Sequence, residues 1–177
     1  AYAKLLPKDN FGFAPRVTDR DAWDKWQEDP FGQHVLSEAR RLAKEPTPEL
    51  TDDAFNRCLD DDSVTEINVL IPAVRERNTV FLLAEAIFDQ GEFLKVIESD
   101  ARQLGQLGTW IHPGNDLDRK NLRRETFDND LGSCHHAVNF AQFYYILGPR
   151  LSEDFRNYLS SEVDRRFFSP LRNRIEA

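Results

Sequence analysis

Residues 71–91 read IPAVRERNTVFLLAEAIFDQG and form the most strongly patterned stretch of the chain. Val74, Phe81 and Ala84 recur at the spacing that places side chains on one face of an α-helix. The full set on that face is Val74, Arg77, Phe81, Ala84 and Phe88. A second face carries Ala73, Val80, Leu83 and Ile87. A helix that is apolar around so much of its circumference is expected to be buried between neighbouring helices.

Short connections link this helix to its neighbours. Gln90 and Gly91 separate it from a second helical pattern over residues 92–108, and so short a turn predicts an antiparallel hairpin. Further helical patterns cover residues 31–44 and 131–147 and continue after Ser152. The helix at 131–147 has little polar surface and is also expected to be buried, with Val138 and Tyr144 included. There is no strand pattern and no repeat of fixed period. The sequence therefore predicts an all-α fold of paired antiparallel helices, stacked as a solenoid or toroid.

The 177 residues predict a single helical domain with a short arm. Residues 1–19 contain helix breakers and predict an extended arm that packs through Phe11 and Phe13, whereas residues 20–177 predict the α-hairpins. The first helix should bury Trp23 and Trp26 together on one face. Because the chain starts at Ala1 and has no methionine, we expect a processed protein or a fragment of a longer multidomain one, and a removed signal peptide stays open.

Composition argues against several classes of function. A net charge of -8 without a basic stripe argues against nucleic-acid binding, and every apolar run is too short to span a membrane. Phosphate-binding glycine loops, dinucleotide fingerprints and serine nucleophile elbows are absent, so no cofactor is predicted. The adjacent residues 60–62 are aspartates without EF-hand spacing, and no metal site is predicted. For Cys58 and Cys134, two buried thiols are favoured over a disulfide.

The central segment, residues 110–139, reads WIHPGNDLDRKNLRRETFDNDLGSCHHAVN and holds three of the four histidines. It begins with a polar loop between two helical patterns, and loops on a rigid scaffold often carry function. An aromatic ring beside polar groups held in a turn is typical of a sugar-binding rim. We therefore predict that Trp110, His112, Asn115 and Asp116 bind substrate. The alternative is that Trp110 belongs to the core and residues 112–116 form only a connecting turn.

Other polar residues of this segment allow two readings. His135, His136 and Asn139 form a candidate site, since His135 and Asn139 lie four residues apart on one helix face. The favoured alternative is a buried histidine whose hydrogen bonds are satisfied. A metal site of His112, Asp116 and one of those histidines would have no recognised spacing. The basic cluster consists of Arg119, Lys120, Arg123 and Arg124. It predicts either a local basic patch or, more simply, a solvated charge run.

Three blocks in order carry a resemblance to a known family: VRERNTVFLLAEAIFDQGEFL, TWIHPGND and FDNDLGSCHHAVNFAQFYYILGPRLSEDFRNYLSSEVDRRFFSPLRNRI. Together they resemble the amino-terminal helical region of heparinase II/III-like proteins over about residues 16–175. That family comprises polysaccharide lyases and relatives in which an incomplete (α/α) toroid precedes β-sandwich domains. The resemblance implies that this chain forms part of such a toroid.

The resemblance also implies a function. It implies binding of a uronic-acid-containing polysaccharide, such as a glycosaminoglycan or alginate, for β-elimination in a secreted or periplasmic enzyme. Catalytic residues of the family lie largely on later toroid helices and the β-sandwich, so none is assigned here, and those downstream domains are the expected partners.

Two other functions stay open. A noncatalytic α-hairpin scaffold would bind a protein partner and should expose an aliphatic patch. A toroidal glycoside hydrolase would need two carboxylates across a cleft, for which the chain offers Asp116, Asp128 and Asp130.

Overall fold

The structure is a computed structural model that describes residues 14–61 and 65–176, and these residues form helices and turns without any strand. The helices are α1 (Arg20–Trp23), α2 (Pro30–Leu42), α3 (Asp52–Asp60), α4 (Thr65–Phe88), α5 (Leu94–Gln106), α6 (Leu131–Ile146), α7 (Glu153–Val163) and α8 (Ser169–Glu176). A π-helical turn, Asp164–Phe168, joins α7 to α8. The predicted all-α class is confirmed.

Helix α4 is the centre of the fold and contacts α2, α3, α5 and α6. Val74, Phe81 and Ala84 are buried, as the sequence pattern predicted, and Arg77 on the same face is buried with them. Phe81 stacks on Phe93 at the start of α5, with the ring centroids 5.6 Å apart. The second apolar face is mostly half-buried. Residues 71–91, the most strongly patterned stretch of the sequence, therefore also organise the core.

The helices pack in two layers. Helices α2, α4 and α6 contact one another in succession, while α5 contacts α7 on the other side, and the hairpins α4–α5 and α6–α7 link the two layers. This alternation is that of stacked α-hairpins. Closure of the layers into a toroid stays a prediction.

Helix caps and buried carboxylates fix the connections. Ser152 caps α7 by accepting a hydrogen bond from the Phe155 amide, as expected for a serine in that position. At the α4–α5 turn, the buried Glu85 carboxylate accepts hydrogen bonds from the amides of Gly91, at 2.5 Å, and Phe93, at 3.0 Å. Gly91 has a φ of 72°, a conformation that glycine adopts without steric cost.

Two expectations about surface and core were wrong. Trp26 is 37% exposed because α1 ends at Trp23 and a 3-10 turn, Asp24–Trp26, changes the direction of the next side chains. On α6, Val138 and Tyr144 are also exposed rather than buried. The predicted packing of Phe11 and Phe13 lies outside the described residues. No helix in the described part of the chain is long and apolar enough to cross a membrane.

Candidate functional site

Trp110 lies in the core, which corrects the prediction that its ring faces a sugar. Only 4% of the residue is exposed, and the indole Nε1 donates a hydrogen bond to the Leu104 carbonyl at 3.0 Å. Phe140 packs edge-on against the indole with the centroids 5.0 Å apart, and the Arg166 guanidinium lies over it at 4.9 Å. With its ring covered in this way, Trp110 stabilises the packing of α5, α6 and the π turn.

Asp116 is also interior, 2% exposed, so it does not line an open cleft. Its Oδ1 accepts hydrogen bonds from the backbone amide and the side-chain amide of Asn121, at 2.9 and 3.1 Å. Its Oδ2 accepts one from the Leu122 amide at 2.8 Å. The carboxylate therefore stabilises the loop, as in the connecting-turn alternative.

The other two carboxylates considered for a hydrolase are similarly engaged. Asp128 accepts a hydrogen bond from Asn121 at 2.9 Å and pairs with Arg174. Asp130 caps α6. Since all three aspartates hold the loop or a helix end, the geometry does not favour the glycoside hydrolase.

Asp130 fixes the remaining two predicted residues, His112 and Asn115, to the start of α6. Its Oδ2 accepts hydrogen bonds from the His112 amide and the Asn115 side chain, both at 2.9 Å. Its Oδ1 accepts from the Ser133 amide at 2.8 Å, which completes a capping box. His112 is half-buried and its Nε2 lies 3.3 Å from Asn68 Oδ1 on α4. Partial burial raises the pKa of Asp130, but these hydrogen bonds outweigh it and the pKa lies below its usual range.

Replacing Asp130 with alanine should lower the free energy of unfolding by about 2 kcal/mol, because an N-cap and two loop contacts are lost together. Thermal or urea unfolding measures the change. Asp118→Ala is the matched control, since Asp118 is exposed and pairs only within the same loop; its cost should stay within about 0.5 kcal/mol. Equal losses in the two variants would contradict the role given to Asp130.

Three of the four cations in the basic cluster of the loop pair with acidic side chains. Lys120 pairs with Asp118 at 2.7 Å, and Arg123 pairs with Glu125 at 2.6 Å. Arg119 pairs with Asp60, while Arg124 donates to a backbone carbonyl. The cluster is a solvated charge run rather than a basic binding patch.

An open groove of about 530 Å³ lies between α4 and α6. Its polar lining comes from three residues of α4 and three of α6: Arg75, Glu76, Thr79, His135, Asn139 and Gln142. Val80 and Val138 add apolar surface. His112 lies close to this groove, since Asn68, its contact on α4, precedes the groove residue Pro72 by about one helical turn. The structure thus joins His135 and Asn139 in one surface but leaves Trp110 and Asp116 outside it.

Arg75 is the distinctive charge of the groove. Arg75 is a half-buried residue, and its guanidinium makes no hydrogen bond or ion pair with any residue that the structure describes. In contrast, Arg77, two residues later, bonds directly to Asp100. A half-buried cation without a protein partner is available to an anionic ligand.

His136 lies beside the groove in the interior, with its ring centroid 5.9 Å from that of Trp110. Burial, followed by the positive charges of Arg75 and His135, lowers the pKa of His136 to about 4. His136 therefore stays neutral near pH 7. His136 is buried, as the favoured interpretation expected, but it is not satisfied, because its Nδ1 has no hydrogen-bond partner in the described part of the chain. Its neighbour His135 is exposed.

Acidification should destabilise the fold through His136. The unfolded chain takes up this proton near the ordinary value of 6.5, and the folded chain only near 4. Stability is therefore fully present above about pH 6.5 and falls as the pH drops towards 4. The two pKa values differ by about 2.5 units, and at about 1.4 kcal/mol for each unit the full loss is on the order of 3 to 4 kcal/mol. Urea unfolding at several pH values should show this loss in the parent protein and a smaller one in His136→Phe; identical pH profiles would contradict it.

The α4 side of the groove was missed by sequence reasoning. Arg75, Glu76 and Thr79 follow helical spacing on the side opposite Val74 and Phe81, which is a weak signal that any solvated helix face gives. These residues line a groove only because α6 packs alongside α4. Within the described ranges, no group of three or more histidine, cysteine or carboxylate side chains could hold a metal ion.

Comparison with known proteins adds no residue to this set. No protein-family model matches the chain, and no curated protein matches it. The groove residues are therefore assigned from their positions and charges.

Proposed function

We propose that this chain is the helical toroid portion of a heparinase II/III-like polysaccharide lyase and that its α4–α6 groove binds a uronic-acid-containing polysaccharide. The observation that carries the proposal is the Arg75 guanidinium, which has no partner among the described residues and lies in a groove lined with amide and hydroxyl groups. The resemblance of the ordered sequence blocks supports the same enzyme class. The expected setting is a secreted or periplasmic protein that degrades a glycosaminoglycan or alginate.

The groove offers the groups that a uronic acid needs. A guanidinium binds a carboxylate through two parallel hydrogen bonds, and partial burial strengthens that interaction relative to water. Asn139 and Gln142 supply amides on the opposite helix, where Asn139 Nδ2 lies 3.5 Å from Gln142 Oε1. The Thr79 hydroxyl donates its proton to the Arg75 carbonyl at 2.9 Å, and its oxygen is left to accept a hydrogen bond. Such groups exchange hydrogen bonds readily with sugar hydroxyls. The apolar surfaces of Val80 and Val138 suit the faces of sugar rings.

Binding of the carboxylate by Arg75 would serve β-elimination directly. Neutralising the carboxylate stabilises the negative charge that develops when the neighbouring C5 proton is removed. The base that takes this proton and the acid that protonates the leaving oxygen are not assigned to this chain. They belong to the downstream helical and β-sandwich domains that the resemblance implies.

Replacing Arg75 with glutamine should weaken binding of an unsulfated polyuronate such as alginate by roughly 10- to 100-fold, the usual worth of a charge-assisted hydrogen bond. Isothermal titration at low salt measures the affinity, with a neutral glucan as the non-binding reference. Lys95→Gln is the matched control, since Lys95 is an exposed cation on α5 without a partner in the described structure. Equal affinities for Arg75→Gln and Lys95→Gln would overturn the proposal.

A second function is favoured by one observation. Val69, Leu131 and Val138 on α4 and α6 are exposed, at 65%, 79% and 45%, and exposed aliphatic groups of this kind also suit a protein partner. The noncatalytic scaffold would then bind through these side chains. The double variant Val69→Ser, Leu131→Ser should keep the alginate affinity of the parent protein if the groove binds a glycan. If the chain is a noncatalytic scaffold, the same variant should lose binding to its protein partner.

A further inference from the structure

We infer that Glu76 makes the α4–α6 groove selective for a polysaccharide that carries carboxylates but no sulfate groups. The inference rests on the proposed function, because it concerns the ligand of the same groove. Glu76 is the specificity-determining residue. Its carboxylate excludes a second anionic group beside the carboxylate that Arg75 holds.

The fixed charges of the groove come from one helix. Helix α6 contains no lysine, arginine, aspartate or glutamate, so it contributes only amides, apolar groups and His135 to the groove. On α4, the lining carries one cation, Arg75, and one anion, Glu76. The groove can therefore neutralise one anionic group, with His135 as its only other titratable lining residue.

Glu76 is not consumed by an interaction with Arg75. Neighbouring residues on a helix point about 100° apart, and the Glu76 carboxylate makes no hydrogen bond or ion pair within the described structure. Its carboxylate is exposed at the groove edge. An anionic group placed next to the uronate carboxylate would approach Glu76 and be repelled.

A sulfated glycosaminoglycan presents several anionic groups on each disaccharide. Recognition of such a polymer requires a cluster of cations, and in the loop cluster Arg119, Lys120 and Arg123 are already paired with acidic neighbours. The formal charge of the chain, -8, adds a general repulsion. An unsulfated polyuronate that places a single uronic acid against Arg75 needs only one cation there, which the groove provides.

The test compares alginate with heparin by titration against the parent chain, Glu76→Gln, Arg75→Gln and Glu49→Gln. Glu49 is exposed and outside the groove lining, so it measures the general effect of losing one negative charge. We expect the parent to prefer alginate, and Glu76→Gln to raise heparin affinity at least about fivefold while alginate affinity changes by less than about twofold. Glu49→Gln should raise neither affinity beyond about twofold.

The outcomes separate the two proposals. If binding depends on Arg75 but Glu76→Gln raises both affinities equally, or acts like Glu49→Gln, the selectivity inference is overturned and the proposed function stands. If the parent protein prefers heparin and Arg75→Gln still loses affinity, the selectivity inference is again overturned and the proposed function stands. If no polyuronate binds, or binding is independent of Arg75, the proposed function fails and the inference falls with it.

Discussion

Replacing Arg77 with methionine should lower the free energy of unfolding by about 3 to 5 kcal/mol, the usual cost of removing one partner of a buried ion pair. Arg77 Nε lies 2.6 Å from Asp100 Oδ2, and the two side chains are only 4% and 1% exposed. The guanidinium also donates to the Leu42 carbonyl at 2.6 Å. After the substitution, the buried Asp100 carboxylate keeps only its hydrogen bond from Thr47. Helices α2, α4 and α5 would lose their common polar contact.

Urea unfolding followed by circular dichroism measures this loss. Arg40→Met is the matched control, because Arg40 pairs with Glu92 at 2.9 Å on the surface, with both side chains over a third exposed. Exposed pairs contribute at most about 1 kcal/mol. A second substitution, Asp100→Asn, should recover part of the stability lost in Arg77→Met by removing the uncompensated charge. A loss no larger than that of Arg40→Met would show that the Arg77–Asp100 pair is not a major stabilising contact.

Replacing Arg166 with alanine should lower the free energy of unfolding by a similar amount, about 3 to 5 kcal/mol. It should also loosen the connection between α5 and α6. The Arg166 guanidinium donates to the carbonyls of Gly105, at 2.8 Å, and Leu107, at 2.6 Å, at the end of α5. Its Nε pairs with Glu162 at 2.8 Å. Because its plane also covers Trp110, its removal should expose the indole and shift tryptophan emission to longer wavelength.

The neighbouring residue supplies the control. Arg165 pairs with the same carboxylate, Glu162, at 2.7 Å, but is itself exposed. Arg165→Ala should therefore cost at most about 1 kcal/mol and leave the emission unchanged. Arg166→Lys should fall between the two, since an ammonium keeps the charge but lacks the planar fork that reaches several carbonyls. Indistinguishable stability and emission in Arg165→Ala and Arg166→Ala would contradict this account of the connection.

Local sequence patterns predicted the helices because side chains close together in the sequence determine where a helix forms and begins. The spacing of Val74, Phe81 and Ala84 specifies a buried helical face without knowledge of what covers it. Asp130 and Ser152 carry side chains that cap a helix wherever it begins. The short turn at Gly91 brings α4 and α5 together for the same reason.

The predicted site depended on contacts that a local pattern does not contain. A tryptophan at the end of a helix gives the same signal whether its ring is exposed or covered, and Trp110 is covered by Phe140 and Arg166 from later helices. From sequence alone, Asp116 could equally be a ligand-binding residue. In the structure, its carboxylate accepts hydrogen bonds from the backbone and side-chain amides of Asn121. The groove depends on the packing of α4 against α6, so Arg75 gained significance only when both helices were in place.

The most direct test of the central claim, that the α4–α6 groove binds a uronic-acid polysaccharide, is an NMR titration of the isotope-labelled chain with an unsulfated alginate oligosaccharide. We predict saturable shifts concentrated on the backbone amides of Thr79, His135, Asn139 and Gln142 and on the Arg75 side chain, while the loop at residues 114–120 changes little. Shifts concentrated on that loop, or the absence of any saturable shift, would contradict the claim.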